Sequence, residues 1–215
     1  MIRMWCEKEL YNLKLLSRCG IPCPEPVTIK KHVLFMRFIG DNGVPGKRLK
    51  DLPPQKEKTK KQILEQVIEI AGKMWKDARI VHADFSEFNL LYFQKRVWVI
   101  DVSQAVPRDH PLSLRFLLRD CAAVSRFFTS WHIPDVPSAE TLFNQITGYA
   151  FGNPEESLPN VPTDSALFTE ELEAAVLELQ RKHNVQRNQF SADLRLGRED
   201  DYHEEDAQER DARRT

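Results

Sequence analysis

The sequence predicts an α+β fold with an incomplete sheet near its N-terminus and a mostly helical C-terminal part. Residues 56–77 carry apolar side chains at the spacing of one helix face, which is a strong helix signal. Residues 89–93 and 97–101 are two short apolar runs joined by a polar connection over 94–96, as in a β-hairpin. The chain has 215 residues, of which 41% are hydrophobic, so it is long enough for one large domain or two small ones with a sizeable core.

The N-terminal part is predicted to contain one helix and two strands. Residues 4–18 place apolar side chains between charged ones at helical spacing, so an amphipathic helix should end near Gly20. Three prolines then interrupt the chain. Two short strands are expected over 26–29 and 32–39, with a turn at 30–31.

The C-terminal part is predicted to be helical apart from the hairpin. A loop rich in glycine and proline over 40–54 separates it from the first strands. Residues 110–131 are typical of a helix with Pro111 in its first turn, where a missing N–H is tolerated. Two further helices are expected over 139–147 and 168–183.

Composition narrows the function classes. The net charge of −1 provides no global attraction to nucleic acid or to a membrane surface. No apolar run of about 18 residues and no secretory signal are present, so the four cysteines are expected to be reduced thiols in a cytoplasmic protein. Cys19 and Cys23 have no further metal ligands close by in the sequence. Residues 185–215 are polar and of mixed charge, which predicts a disordered tail, with a docking role as the alternative.

One stretch carries residues suited to phosphoryl transfer. Asp84 is followed by Asn89 within a loop, and the predicted hairpin brings Asp101 back beside both. An acid that orients an attacking hydroxyl and oxygen ligands for Mg²⁺ are what this chemistry requires. The same order occurs in protein kinases, where a histidine also stands two residues before the acid, as His82 does here. The alternative is that these side chains only cap turns and that His82 is a core residue bonded to backbone.

Several motifs resemble the RIO-type atypical serine/threonine protein kinases. "VHADFSEFNLLYF" and "VWVIDVSQ" are similar to the catalytic and metal-binding loops of that family, and "MIRMWCEKELYNL", "GIPCPEP", "KKHVLFMRFIG" and "HPLSLRFLLRDCAAVSRFF" extend the resemblance over roughly residues 1–130. The details of "MIRMW", "KKHVL" and "VWVIDVSQ" favour the third RIO branch of animals over the first.

The resemblance implies a role for each matching residue, with ATP and Mg²⁺ as cofactors. Asp84 would be the catalytic acid, and Asn89 and Asp101 would hold Mg²⁺, with Asp101 also a site of transient phosphorylation. Glu9 would pair with the ATP-binding lysine of the family. Four consecutive residues would form the hinge whose backbone holds adenine: Met36, Arg37, Phe38 and Ile39.

The resemblance also implies a domain division and partners. Residues 1–40 would be a partial N-lobe and residues 41–184 the C-lobe of a protein-kinase-like fold, followed by the tail 185–215. Partners would be ATP, an unidentified protein substrate, and pre-40S ribosomal particles or signalling proteins. No direct nucleic-acid signal accompanies this, because the tryptophans are far apart and are not interleaved with basic residues.

The sequence departs from the family pattern at the phosphate loop, the ATP-binding lysine and the hinge. No glycine-rich loop and lysine precede the helix at 4–18, and "GDNGVPGKRL" lacks the first glycine and the final Ser/Thr of a Walker loop. Arg37 stands where a smaller polar residue is usual. These losses predict weak activity or none, either in a fragment of a longer chain or in a genuine short form.

Two alternative functions remain open at this point. A small-molecule phosphotransferase shares the Asp84, Asn89 and Asp101 pattern but needs long substrate-binding helices after the metal aspartate. A non-catalytic interaction module would bind partners through the helical part, and nucleotide binding separates it from the enzyme.

Overall fold

The computed structural model describes residues 2–148, and this part of the chain combines four α-helices with nine short strands. The helices are α1 Ile2–Arg18, α2 Glu57–Lys76, α3 Ser113–Ser130 and α4 Ala139–Thr147, with a short 3-10 helix at Leu49–Asp51. The strands are β1 Pro26–Lys30, β2 Val33–Met36, β3 Gly40–Asp41, β4 Val44–Pro45, β5 Lys47–Arg48, β6 Ile80–Val81, β7 Leu90–Phe93, β8 Arg96–Val99 and β9 Val106–Pro107.

The strands of the described part form four small antiparallel sheets. β1 pairs with β2, β3 with β4, and β6 with β9, while β5, β7 and β8 make a three-stranded sheet with β7 in the middle. Small antiparallel sheets beside packed helices confirm the predicted α+β class.

The core lies between α2, α3, α4 and the β7–β8 hairpin. α2 begins and ends within one residue of the predicted 56–77, and its apolar stripe is buried as the spacing required: Ile63, Leu64, Val67, Ile70 and Met74. The fully buried side chains Phe128 of α3 and Phe143 of α4 join the same core. The helix expected over 139–147 is confirmed as α4, and Ser138 caps its N-terminus by accepting a hydrogen bond from the Thr141 backbone N–H.

The predicted hairpin is confirmed with a tighter turn than expected. Gln94 and Lys95 both have positive φ, 51° and 60°, which is the geometry of a two-residue type I′ turn. Arg96 is therefore the first residue of β8 and not part of the connection. Gln66 of α2 fixes the hairpin, because its side chain accepts from the Val97 N–H and donates to the Lys95 carbonyl.

The N-terminal elements agree with the prediction apart from their limits. α1 starts two residues earlier than expected, and Gly20 follows its end with a φ of +68° that glycine adopts without strain. The turn between β1 and β2 falls at 31–32, one residue later than predicted, because Lys30 pairs with Val33. Several large apolar side chains of α1, β1 and β2 are exposed: Met4, Trp5, Tyr11, Val27, Val33, Phe35 and Met36.

Two expectations about the middle of the chain are wrong. Pro111 lies before α3 and not in its first turn, because the Ser113 N–H bonds to the His110 carbonyl and the His110 ring accepts from the Leu112 N–H. The loop over 40–54 contains β3, β4, β5 and the 3-10 helix, because its residues pair with each other and with the hairpin.

Other expectations keep the status of predictions. The helix over 168–183 and the tail 185–215 lie outside the described residues, and the division at residues 40 and 184 stays a prediction. None of the helices in the described part has the length and apolar character needed to cross a membrane. All four cysteines have free thiols, as expected.

Candidate active site

The segment 82–89 is a tight loop that holds Asp84 and Asn89 in direct contact. The Asn89 Nδ2 donates to Asp84 Oδ2 at 2.8 Å and to the Asp84 carbonyl at 2.9 Å. The loop is closed by hydrogen bonds from the Ser86 N–H to the Asp84 carbonyl and from the Asn89 N–H to the Ser86 carbonyl. Asp84 is exposed, so its carboxylate is available to a ligand.

Asp101 is brought to this loop by the hairpin, as its position in the sequence predicts. The Ile100 N–H donates to the Asn89 carbonyl at 3.0 Å, so the residue before Asp101 is bonded to the loop itself. Asp101 has a φ of 55°, an uncommon left-handed conformation that re-aims its side chain at the end of β8. Its Oδ1 accepts from Ser103 Oγ at 2.7 Å, and the side chain is exposed.

His82 connects the loop that carries Asp84 to the strand end that carries Asp101. It is 2% exposed, and its Nε2 lies 3.2 Å from the Ile100 carbonyl, which only accepts, so Nε2 carries the proton. Burial lowers the pKa of His82, against opposing effects of the Ile100 carbonyl and of Asp84 and Asp101. The ring is therefore neutral, and its Nδ1 has no hydrogen-bond partner within the described residues.

Asp120 of α3 holds the other side of the loop, and sequence reasoning missed it. Its two carboxylate oxygens accept from the Ala83 N–H at 2.9 Å and from the Phe85 N–H at 3.0 Å. The neighbouring Arg119 donates to the Ala83 carbonyl at 2.5 Å. Burial raises the pKa of Asp120 to about 7, against the lowering effect of those two N–H groups. The available signal was an acid within the apolar stripe of a helix, where an ionisable group needs partners.

Glu9 and Asn12 of α1 hold the backbone just after Asp101. The Val102 N–H donates to Glu9 Oε1 at 3.2 Å, and Asn12 Nδ2 donates to the Val102 carbonyl at 2.8 Å. Glu9 Oε2 is buried and has no hydrogen-bond partner among the described residues. Burial, with a smaller effect of Asp101, raises the pKa of Glu9 to about 7. Glu9 therefore lies beside the predicted metal site, and Asn12 is a second residue that the sequence did not single out.

The four predicted hinge residues begin with the last residue of β2 and are mostly exposed. Met36 and Phe38 are exposed, Ile39 is buried, and the Arg37 side chain forms a 2.5 Å ion pair with Glu25. Two hinge backbone groups already have partners, because the Arg37 N–H donates to the Glu25 carbonyl and the Ile39 carbonyl accepts from the Gly46 N–H. Neither of these two groups is free for adenine, and the hinge assignment stays a prediction.

The residues present fit a magnesium–phosphate group. The Asn89 NH₂ group points at Asp84, which leaves its carbonyl oxygen as a hard donor together with the Asp101 carboxylate. Mg²⁺ in phosphotransfer sites takes one or two protein oxygens and completes its shell with phosphates and water. The described residues contain no cluster of three or more His, Cys, Asp or Glu side chains that would hold a metal alone.

Comparison with known proteins identifies the family. The RIO domain matches residues 1–141. The chain is 40% identical over 189 residues to human serine/threonine-protein kinase RIO3, which covers 87% of this chain and 34% of that protein. It is 46% identical over 147 residues to human serine/threonine-protein kinase RIO1, which covers 68% of this chain and 26% of that protein. The match to RIO3 is longer, and the match to RIO1 has the higher identity. The chain spans about a third or less of the length of these relatives.

A solved structure has the same fold. The Rio2 kinase from Chaetomium thermophilum, in an ADP/Mg²⁺-phosphoaspartate complex, aligns with a TM-score of 0.54 at 20% identity, covering 86% of this chain and 55% of that one. At this identity the likeness concerns the fold, which is kinase-like as predicted. With its domain match, its sequence relatives and its fold in agreement, the chain belongs to the RIO family of serine/threonine-protein kinases.

Proposed function

We propose that the chain binds ATP with Mg²⁺ and transfers the γ-phosphoryl group to a serine or threonine hydroxyl or to water. Two hydrogen bonds support this most directly: one from the Asn89 side chain to Asp84 and one from the Ile100 N–H to the Asn89 carbonyl. They hold the candidate acid close to Asn89 and to the backbone just before Asp101. Asp101 and Asn89 would hold Mg²⁺, and Asp84 would receive the attacking hydroxyl. When bound, Mg²⁺ neutralises charge on the phosphates.

The protein groups around this site act mainly by positioning. Asp84 is exposed while its neighbours Ala83 and Phe85 are buried and tied to Asp120, so the acid projects from a fixed backbone. A fixed carboxylate aligns the acceptor hydroxyl before the reaction, and such alignment accounts for much of phosphoryl-transfer catalysis. Asp101 would be the position of a transient phosphoaspartate, by analogy with the complex described for the Rio2 kinase.

Glu9 is proposed to pair with a lysine that also contacts ATP, as the family pattern expects. Its Oε2 is buried without a hydrogen-bond partner in the described part. Such a cation would supply charge stabilisation for the phosphates. Roles in small-subunit maturation or in signalling, in the cytoplasm, are proposed from the family alone.

A non-catalytic interaction module is the second candidate function. The exposed apolar side chains of α1, β1 and β2 favour it, because monomeric proteins rarely expose so many large apolar residues on neighbouring elements. Among the described residues β1 and β2 pair only with each other, and the edges of such a two-stranded sheet can bind a partner strand.

Nucleotide binding and turnover test the first proposal. Binding of a fluorescent ATP analogue and release of phosphate would be measured with and without Mg²⁺ on the whole chain. We expect Asp101→Ala to abolish Mg²⁺-dependent binding, and Asp84→Asn to retain binding while turnover falls about 100-fold or more. The control is Asp41→Asn, which removes an exposed acid on β3. Equal behaviour of all three variants would refute the proposal, and absence of nucleotide binding by the unmodified chain would favour the interaction module.

A further inference from the structure

The loop from Asp84 to Asn89 exposes one aromatic ring beside the candidate acid. Phe88 is 42% exposed, whereas Phe85 in the same loop is 2% exposed and belongs to the core. Ser86, Glu87 and Asn89 are half-buried, so Asp84 and Phe88 are the loop's two exposed residues. An exposed ring next to a reacting group is available to contact a ligand.

Lys50 lies over this ring, and its backbone is bonded to the loop that carries the ring. Its Nζ lies 4.1 Å from the centroid of the Phe88 ring. Its N–H donates to the Glu87 carbonyl at 3.2 Å, which joins the 3-10 helix directly to the loop. The preceding Leu49 is fully buried and anchors the 3-10 helix in the core. The backbone segments that carry the ammonium and the ring are therefore held side by side before a ligand binds.

The segment that carries Lys50 has a net positive charge. Segment 47–51 has three basic residues and one acidic residue, and that acid, Asp51, is paired with Arg48 at 2.7 Å. No carboxylate of the described residues forms an ion pair with Lys50, whose ammonium lies over the Phe88 ring. A contact with an exposed ring leaves most of the charge available to an incoming anion.

We propose that Lys50 and Phe88 recognise an acidic side chain next to the acceptor hydroxyl of a protein substrate. This inference rests on the proposed phosphotransferase function. The carbon stem of a glutamate would lie along the ring while its carboxylate meets the ammonium. Asp84 and Glu87 repel an anion elsewhere on the loop, so the acidic residue is directed to the Lys50 side. A lysine or arginine at the same place would face Lys50 and be disfavoured.

The experiment uses three serine peptides of equal length that carry glutamate, glutamine or lysine beside the serine. Their binding to the whole chain is measured by fluorescence anisotropy, and KM and kcat by phosphate transfer. We expect the glutamate peptide to bind about threefold more tightly than the glutamine peptide, as for an exposed ion pair. Lys50→Gln should remove this preference, and Lys50→Glu should reverse it in favour of the lysine peptide, with kcat unchanged. Lys58→Glu, which makes the same charge change at an exposed residue of α2, is the control.

Other outcomes overturn the inference. If Lys50→Glu and Lys58→Glu change binding equally, only the net charge matters. If Lys50→Glu weakens binding of a single-stranded oligouridine and leaves the peptides unaffected, the pair is a nucleic-acid contact. ATP hydrolysis without peptide is measured in parallel. Absence of both this hydrolysis and phosphate transfer to any of the peptides refutes the proposed function, whereas the anisotropy series still reports whether the acidic preference exists.

Discussion

Replacing Asp120 with asparagine tests how the buried carboxyl group stabilises the loop around Asp84. The substitution keeps the shape but turns one acceptor oxygen into an NH₂ group. That group would face the N–H of either Ala83 or Phe85, which now bond to the two oxygens at 2.9 and 3.0 Å. One buried N–H then lacks an acceptor, which costs about 1–3 kcal/mol of unfolding free energy.

The effect of Asp120→Asn should depend on pH in a defined direction. Burial raises the pKa of Asp120 from 3.8 to about 7, so between these values the folded protein holds a proton that the unfolded chain has released. The stability from this group is complete below pH 3.8 and is lost as the pH rises through about 7. Three pKa units correspond to about 4 kcal/mol at most. The variant should therefore be most clearly less stable below about pH 4, the difference should shrink as the pH rises from there, and by about pH 8 it should have vanished or reversed.

Urea unfolding of both proteins at several pH values measures this difference, and shared titrations cancel in the comparison. Asp41→Asn, at an exposed residue of β3, is the matched control and should change stability little at any pH. A difference that widens as the pH rises would refute the reasoning. It would mean that the two N–H groups outweigh burial and that the pKa of Asp120 lies below its ordinary value.

Three further predictions concern two backbone positions and one side chain that binds the backbone, and urea unfolding measures the stability change for each of them. A methyl group at Gly40 would collide with a backbone oxygen across the β3–β4 turn, so Gly40→Ala should destabilise the protein by about 1–3 kcal/mol. Gly72→Ala inside α2 meets no neighbour and should stabilise it by about 0.5–1 kcal/mol. Equal effects of the two substitutions would contradict the close approach at Gly40. Lys95→Gly should stabilise by about 1 kcal/mol, because the left-handed conformation at φ 60° costs a side chain more than it costs glycine, and a loss of stability would show that the turn is not type I′. Asn12→Ala leaves the buried carbonyl of Val102 without its donor and should destabilise the protein by about 1–3 kcal/mol. Mg²⁺-dependent nucleotide binding should also weaken. A loss of stability with unchanged nucleotide binding would show that Asn12 does not act on the candidate site.

Elements whose local pattern agrees with their packing could be predicted from the sequence. α2 was predicted within one residue at each end because the same side chains that recur at helical spacing fill the core. The β7–β8 hairpin was predicted because its strands are adjacent in the chain and five of their seven apolar residues are β-branched or aromatic. The exact turn was not, since Gln94 and Lys95 lack the glycine or asparagine that usually marks a type I′ turn.

Elements that depend on distant partners could not be predicted. β6 and β9 have two residues each, and they pair Ile80 with Pro107. In the sequence, the residues of the candidate loop and hairpin lie between these two strands. β5 exists because Lys47 and Arg48 pair with β7, more than forty residues later in the sequence. No local periodicity records such pairings, because a two-residue strand is too short to show an alternation.

The candidate site divides in the same way. Asp84, Asn89 and Asp101 were recognisable because their order and spacing belong to one continuous stretch. The residues that hold this stretch in place are Asp120 and Asn12. Asp120 follows Ala83 by 37 residues and Phe85 by 35, and Asn12 precedes Val102 by 90. A single sequence marks them only as polar groups in apolar stripes, which identifies a need for partners and not the partners themselves.

The contacts of Glu9 and Asn12 with the backbone also show that α1 affects the candidate site without an ATP-binding lysine. Glu9 and Asn12 bind the two backbone groups of Val102, which directly follows the left-handed Asp101. A residue in that conformation persists only where its surroundings determine it. α1 therefore acts on the predicted metal ligand through the backbone, while α3 acts on the predicted acid through Ala83. A shift of either helix would change the separation of acid and metal ligand, on which in-line phosphoryl transfer depends.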